Sequence, residues 1–166
     1  MKGYLIPFFF VVITSLSTKI PLKDCRVDSE GEYKYIQIQV SNPHNPLENK
    51  IIVRGSKEFP NHSDIYRDFM NKVEATDQRL YKSYTFKPIG GGHIQVTPPH
   101  VELFGSSGTY GKCNHVMSAE IIKSCFPDDY SIKYAPMRKD NTLDYERESP
   151  MEWIIILIYK VFYYLL

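Results

Sequence analysis

Apolar and polar positions alternate along Tyr33-Lys34-Tyr35-Ile36-Gln37-Ile38-Gln39-Val40. A period of two predicts a strand with one buried face, carrying Ile36, Ile38 and Val40. Lys34 has the same parity and should emerge at the rim of the core, where simple snorkelling at a strand end would account for it equally well. Ser41 to Asn49, with two prolines and three asparagines, reads as a loop, and Lys50 to Gly55 as a second strand. Ile65, Phe69, Met70 and Val73 then recur at helical spacing, with Asn61 as cap and Asp64 in the first turn.

Further along, Tyr84 to Phe86 predicts a short strand and Gly90-Gly91-Gly92 a permissive turn. His93 to Val96 and His100 to Phe104, around Pro98-Pro99, predict a hairpin. A second helix is expected from a Ser118 cap to Phe126, and a last strand over Tyr130 to Tyr134. The sum is a single α/β domain over 20–136, a roughly six-stranded mixed sheet flanked by two helices.

Both ends are apolar. Residues 1–19 combine Lys2, an apolar run and small residues at Ser15 and Ser17, the pattern of a secretory signal or an anchor; an extended N-terminus on a cytosolic protein is the alternative. Residues 137–166 form a turn-rich linker and an apolar tail interrupted by Lys160, short for a membrane span; a tail anchor, an interfacial helix and a non-native tail are the readings open to it. Membrane contact through the ends stays open.

Lysines and arginines number 20 against 19 acids, a net charge of +1, so no nucleic-acid footprint is present. Three cysteines are too few for a disulfide scaffold and lack metal spacing; Cys113 and Cys125 are expected to be small buried apolar residues.

Two features could carry chemistry. His62 sits at a predicted helix start, where the partial positive charge keeps an imidazole neutral, as a base or nucleophile requires; a surface histidine in the first turn is the bland alternative. Gly105-Ser106-Ser107-Gly108-Thr109-Tyr110-Gly111 could present backbone N–H groups and hydroxyls to a phosphate, although it lacks the P-loop signature and could equally be a glycine-rich connection.

Taken in order, several segments resemble the phosphohistidine phosphatase, or Janus, family. They are Val27-Asp28-Ser29-Glu30-Gly31-x-Tyr33-Lys34-Tyr35, Ile52-Val53-Arg54-Gly55, His62-Ser63-Asp64-Ile65-Tyr66, Gly90-Gly91-Gly92-x-Ile94, Phe104-Gly105-Ser106-Ser107-x-x-Tyr110-Gly111, Asn114-His115-x-x-Ser118, and Ile121-Ile122-Lys123 through Pro127-Asp128. The resemblance implies a monomeric hydrolase that needs no metal or cofactor and acts on phosphohistidine-containing proteins. It places the catalytic histidine on His62 and phosphate binding on Lys34, Ser107, Gly108 and Thr109. Arg54, His93 and His115 are supporting positions. The family commonly has arginine where His93 stands and an aromatic where Asn61 stands. Those departures sustain an alternative function, a catalytically weak Janus-type regulatory module that binds phosphorylated protein.

Asn61-His62-Ser63 is also an N-glycosylation acceptor pattern. A glycan there would adjoin His62. Either the chain avoids the secretory route, or the pattern stays unmodified, or His62 is not catalytic; the first is the expectation, a cytoplasmic chain, and a secretory or membrane-tethered one is the alternative.

Overall fold

The protein is described from a computed structural model covering residues 20–135. The two apolar ends and the expectations attached to them lie outside the described residues. Six strands form one mixed sheet in the order β1-β3-β2-β4-β5-β6. In chain order these are β1 (Cys25–Arg26), β2 (Gly31–Asn42), β3 (Asn45–Ser56), β4 (Thr85–Thr97), β5 (His100–Phe104) and β6 (Ser131–Ala135). The three central pairings are antiparallel, while β1 on β3 and β6 on β5 are parallel.

The expected single buried face on β2 is two buried faces. Ile36, Ile38 and Val40 pack beneath α1 (His62–Thr76) and α2 (Gln78–Ser83), against Ile65, Phe69, Val73 and Leu80. Tyr33 and Tyr35, of opposite parity, pack with Val53, Ile94, Leu103, Ala119 and Ile122 beneath α3 (His115–Ile122). Helices on both sides explain why the polar Gln37 is also buried: its amide donates to Asn114 O at 3.0 Å and Ser118 Oγ at 2.9 Å.

Other boundaries also move. The expected loop over Ser41 to Asn49 is a tight hairpin in which β2 and β3 pair as far as Asn42 and Asn45. The glycine triplet is no turn; it lies inside β4 and pairs with β2 from Tyr35 to Gln37. Asn114 rather than Ser118 caps α3, accepting from Met117 N at 3.1 Å, and Ser118 is buried inside that helix. Asn61 occupies the N-cap of α1, yet its side chain accepts no backbone N–H and instead donates to Asp64 Oδ2 at 2.9 Å.

Cys125 is not simply a small apolar residue. It is bonded to Cys25, tying β1 to the 3-10 turn that follows α3 (Lys123–Cys125). Cys113 alone among the three cysteines is free, and it is buried as expected.

Candidate active site

The site forms on the α1 face of the sheet, where β2 and β4 run side by side. Their register sets Lys34 opposite His93 and Ile36 opposite Gly91. His62, the first residue of α1, is buried over this strip. Its Nε2 lies 3.0 Å from Gly92 O. A carbonyl only accepts, so Nε2 carries the proton and Nδ1 keeps its lone pair. Close approach of the ring requires glycine beneath it. A Cβ on Gly91 would stand 2.8 Å from His62 Cδ2 and 2.7 Å from Tyr35 O.

Burial is the main force lowering the His62 pKa; the hydrogen bond to Gly92 opposes it, and the charges of Lys34 and His93 add to it. His93 meets His62 edge to face at 6.0 Å and stacks on Phe104 at 5.5 Å. Its pKa too is lowered, first by burial and then by Lys34, against the pull of Glu32. Lys34 is half-buried and donates to Pro60 O at 2.6 Å, which pins β2 to the residues leading into α1. A cavity of about 230 Å³ opens here, lined by Glu32, Tyr33, Lys34, Lys57, Phe59, Pro60 and His93. The rim lysine is thus brought to the histidine.

The expected phosphate loop follows β5. Ser107 and Gly111 exchange backbone hydrogen bonds, and Gly91 N donates to Gly111 O at 3.1 Å. The loop is therefore fastened to the same glycine that His62 covers. Ser107 is buried, and its Oγ accepts from Thr109 N at 3.2 Å and Tyr110 N at 3.1 Å. Two of the N–H groups expected to face a ligand accordingly curl around this hydroxyl. Ser106, Gly108 and Thr109 are exposed, and space is open around Gly108.

A second histidine works on the opposite face of the sheet. His115 Nε2 donates to Gly105 O at 2.8 Å, and Tyr35 Oη donates to its Nδ1 at 2.6 Å. A Cβ on Gly92 would lie 2.9 Å from His115 Cε1, so adjacent glycines admit one histidine on each face. His115 thereby anchors the first carbonyl of the loop. Burial lowers its pKa, against the Gly105 hydrogen bond, and burial raises that of Tyr35 well above its usual value. Both rings stay neutral, as the hydrogen-bond directions require.

Arg54 is not brought to the site. It is buried on the edge side of the same face, donating to Val53 O at 2.7 Å and Lys23 O at 2.8 Å and lying 5.3 Å over Phe69. Burial and nearby Arg26 lower its pKa to about 10, against Asp24. Its role is to join β3 to the segment entering β1. Sequence reasoning missed Tyr35 as part of the site. Tyr35 read as one more strand residue, and only the tertiary pairing of β2 with α3 reveals its partner.

Residues 19–130 match the model of the Janus/Ocnus family. The chain is 38% identical over 120 residues to the 14 kDa phosphohistidine phosphatase of Sus scrofa, covering 69% of this chain and 90% of that protein. The human protein of the same name is 35% identical over the same shares. The sex-regulated protein janus-A of Drosophila pseudoobscura pseudoobscura is 31% identical over 109 residues, 63% of this chain and 68% of that one.

Proposed function

Because the chain belongs to the Janus/Ocnus family, we propose that it hydrolyses the P–N bond of phosphohistidine in proteins, with His62 as its catalytic residue. The observation that carries this is the His62 ring, fixed through Nε2–H on Gly92 O beside Lys34, with Nδ1 left as the acceptor. The names of the two phosphohistidine phosphatases at 35% and 38% identity support the same substrate class.

Phosphoryl transfer depends chiefly on positioning and on offsetting charge. In this reading the phosphoryl oxygens lie against the loop at Ser107, Gly108 and Thr109, and Lys34 offsets their charge. To accept them, Thr109 N–H exchanges its hydrogen bond with Ser107 Oγ for one to phosphate. Nδ1 of His62 then takes a proton from the attacking water, so that an O–P bond forms as the P–N bond breaks. The bonding pair returns to the substrate imidazole, which takes up a proton. In the covalent route Nδ1 itself bonds to phosphorus as the substrate P–N bond breaks and the substrate imidazole leaves with the pair and takes up a proton; water then forms the O–P bond as the Nδ1–P bond breaks, returning the pair to His62 and releasing phosphate.

Phosphate release from a phosphohistidine peptide, with EDTA present, tests the reading. Turnover by the wild-type chain should vanish in His62→Ala. Labelled phosphate trapped on His62 in a rapid acid-free quench marks the covalent route, and its absence marks water activation. A folded wild type that binds the peptide without turnover, with affinity kept in His62→Ala, would replace the enzyme by a binding module. The specific feature favouring that second reading is His93, which offers no permanent charge to a phosphate.

A further inference from the structure

Asn61-His62-Ser63 is the one Asn-x-Ser/Thr acceptor pattern in the chain, and the proposed chemistry gives Asn61 no part. Asn61 is exposed at the head of α1. Its carbonyl oxygen caps nothing, and its amide makes a single hydrogen bond, from Nδ2 to Asp64 at 2.9 Å. An N-substituted amide keeps one N–H, so that hydrogen bond survives substitution. The fold therefore tolerates a large group on this nitrogen.

A second observation points to the compartment where such a group is added. Cys25 and Cys125, 100 residues apart, are joined by a disulfide. Such bonds persist in oxidising compartments and are rare in the cytosol. Forming this one takes two electrons and two protons from the thiols, which pass to a disulfide-donor oxidant that becomes a dithiol.

We infer that the chain matures in an oxidising compartment and is N-glycosylated there at Asn61. In the transfer, Nδ2 bonds to C1 of a lipid-pyrophosphate-linked oligosaccharide. The C1–O bond breaks, the lipid pyrophosphate leaves with the electron pair, and the amide proton passes to a base. This takes the secretory alternative over the cytoplasmic expectation. Pro60, the preceding residue, lines the cavity and holds Lys34. A glycan on Asn61 thus stands at the mouth of the site and screens it from large phosphoproteins more than from short peptides. That screening rests on the proposed function; the modification does not.

The test uses the full-length chain expressed in cultured eukaryotic cells. Treatment with peptide N-glycosidase F should lower its mass and convert Asn61 to aspartate, and Ser63→Ala should abolish the shift. Cys25 and Cys125 should resist alkylation until a reductant is added. An unmodified Asn61 peptide, or thiols that alkylate without reductant, overturns the inference. Phosphate release from a phosphohistidine protein should be several-fold faster for Ser63→Ala than for the glycosylated chain. Equal rates overturn the screening. Absence of turnover in both overturns the phosphatase reading alone, because the mass and thiol results are read independently of activity.

Discussion

At the scale of single residues, the site is organised by what is missing as much as by what is present. Gly91 and Gly92 lack the Cβ atoms that would collide with His62 and His115, and each histidine donates through Nε2 to a backbone carbonyl. That fixes both tautomers and leaves His62 Nδ1 to act. A base works only when unprotonated, so activity is lost as pH falls through the His62 pKa. Burial has lowered that pKa, which places the acid limb below the free imidazole value of about 6.5. His93→Arg should move the limb lower still, since a permanent guanidinium carried at position 93, whose imidazole lies 6.0 Å from the His62 ring, opposes protonation more than a mostly neutral imidazole does. The same substitution should lower KM for a phosphohistidine peptide. Profiles of kcat/KM between pH 5 and 8 for both proteins measure it. An unmoved limb with an unchanged KM would place residue 93 outside the site.

At the scale of elements, much was legible where local pattern decides. The strand over Tyr33 to Val40 in β2, the apolar stripe of α1 and the pairing of His93 to Thr97 of β4 with β5 follow from side-chain period alone. What pattern could not reveal depends on distant partners. The glycine triplet has the freedom of a turn, yet it lies in a strand because rings from two sides need the space. Ser118 has the chemistry of a cap, yet it serves Gln37 in the core, while Asn114 does the capping. Lys34 and the loop were legible as a rim cation and a donor-rich turn, but it is β2–β4 register that sets Lys34 beside the strip under His62, and a hydrogen bond from Gly91 N to Gly111 O that ties the loop to that strip. The disulfide joins residues 100 positions apart. It fastens the short edge strand β1, only two residues long, to the turn after α3. Closing a loop of 100 residues restricts the unfolded chain, for about 4.7 kcal/mol of stability on the chain-entropy account. Urea unfolding of the wild type with and without reductant, and of Cys25→Ala/Cys125→Ala, should show this loss. A difference below about 1 kcal/mol would mean that packing around Cys25, rather than the bond, holds the edge.

At the scale of the whole molecule, three imidazoles, His62, His93 and His115, have lowered pKa values, and burial is the leading cause in each. They lie around the same strip of β4 on its two faces, so their protonation acts on one structural unit. The unfolded chain exposes all three, where each binds a proton near pH 6.5, at about the free value. The folded chain binds them only at lower pH. Between those limits the unfolded state holds more protons, so stability rises with pH, by up to about 1.4 kcal/mol per pH unit for each group fully in that window. Above the unfolded value neither state is protonated, and the dependence vanishes. Stability should therefore be flat from about pH 8 to 7 and fall from about pH 6.5 to 5, before carboxylates begin to titrate. Urea unfolding at steps across that range measures it, with the imidazole Cε1–H resonances reporting each folded-state pKa. His115 distinguishes this from a simple charge effect. Its Nδ1 already accepts from Tyr35, so protonation there must break a buried hydrogen bond as well as bury a charge. In Tyr35→Phe that acceptor is free, and the His115 resonance should titrate at higher pH than in the wild type. An unchanged value, or stability that stays level down to pH 5, would show that the three neutral histidines are not what couples the sheet to pH.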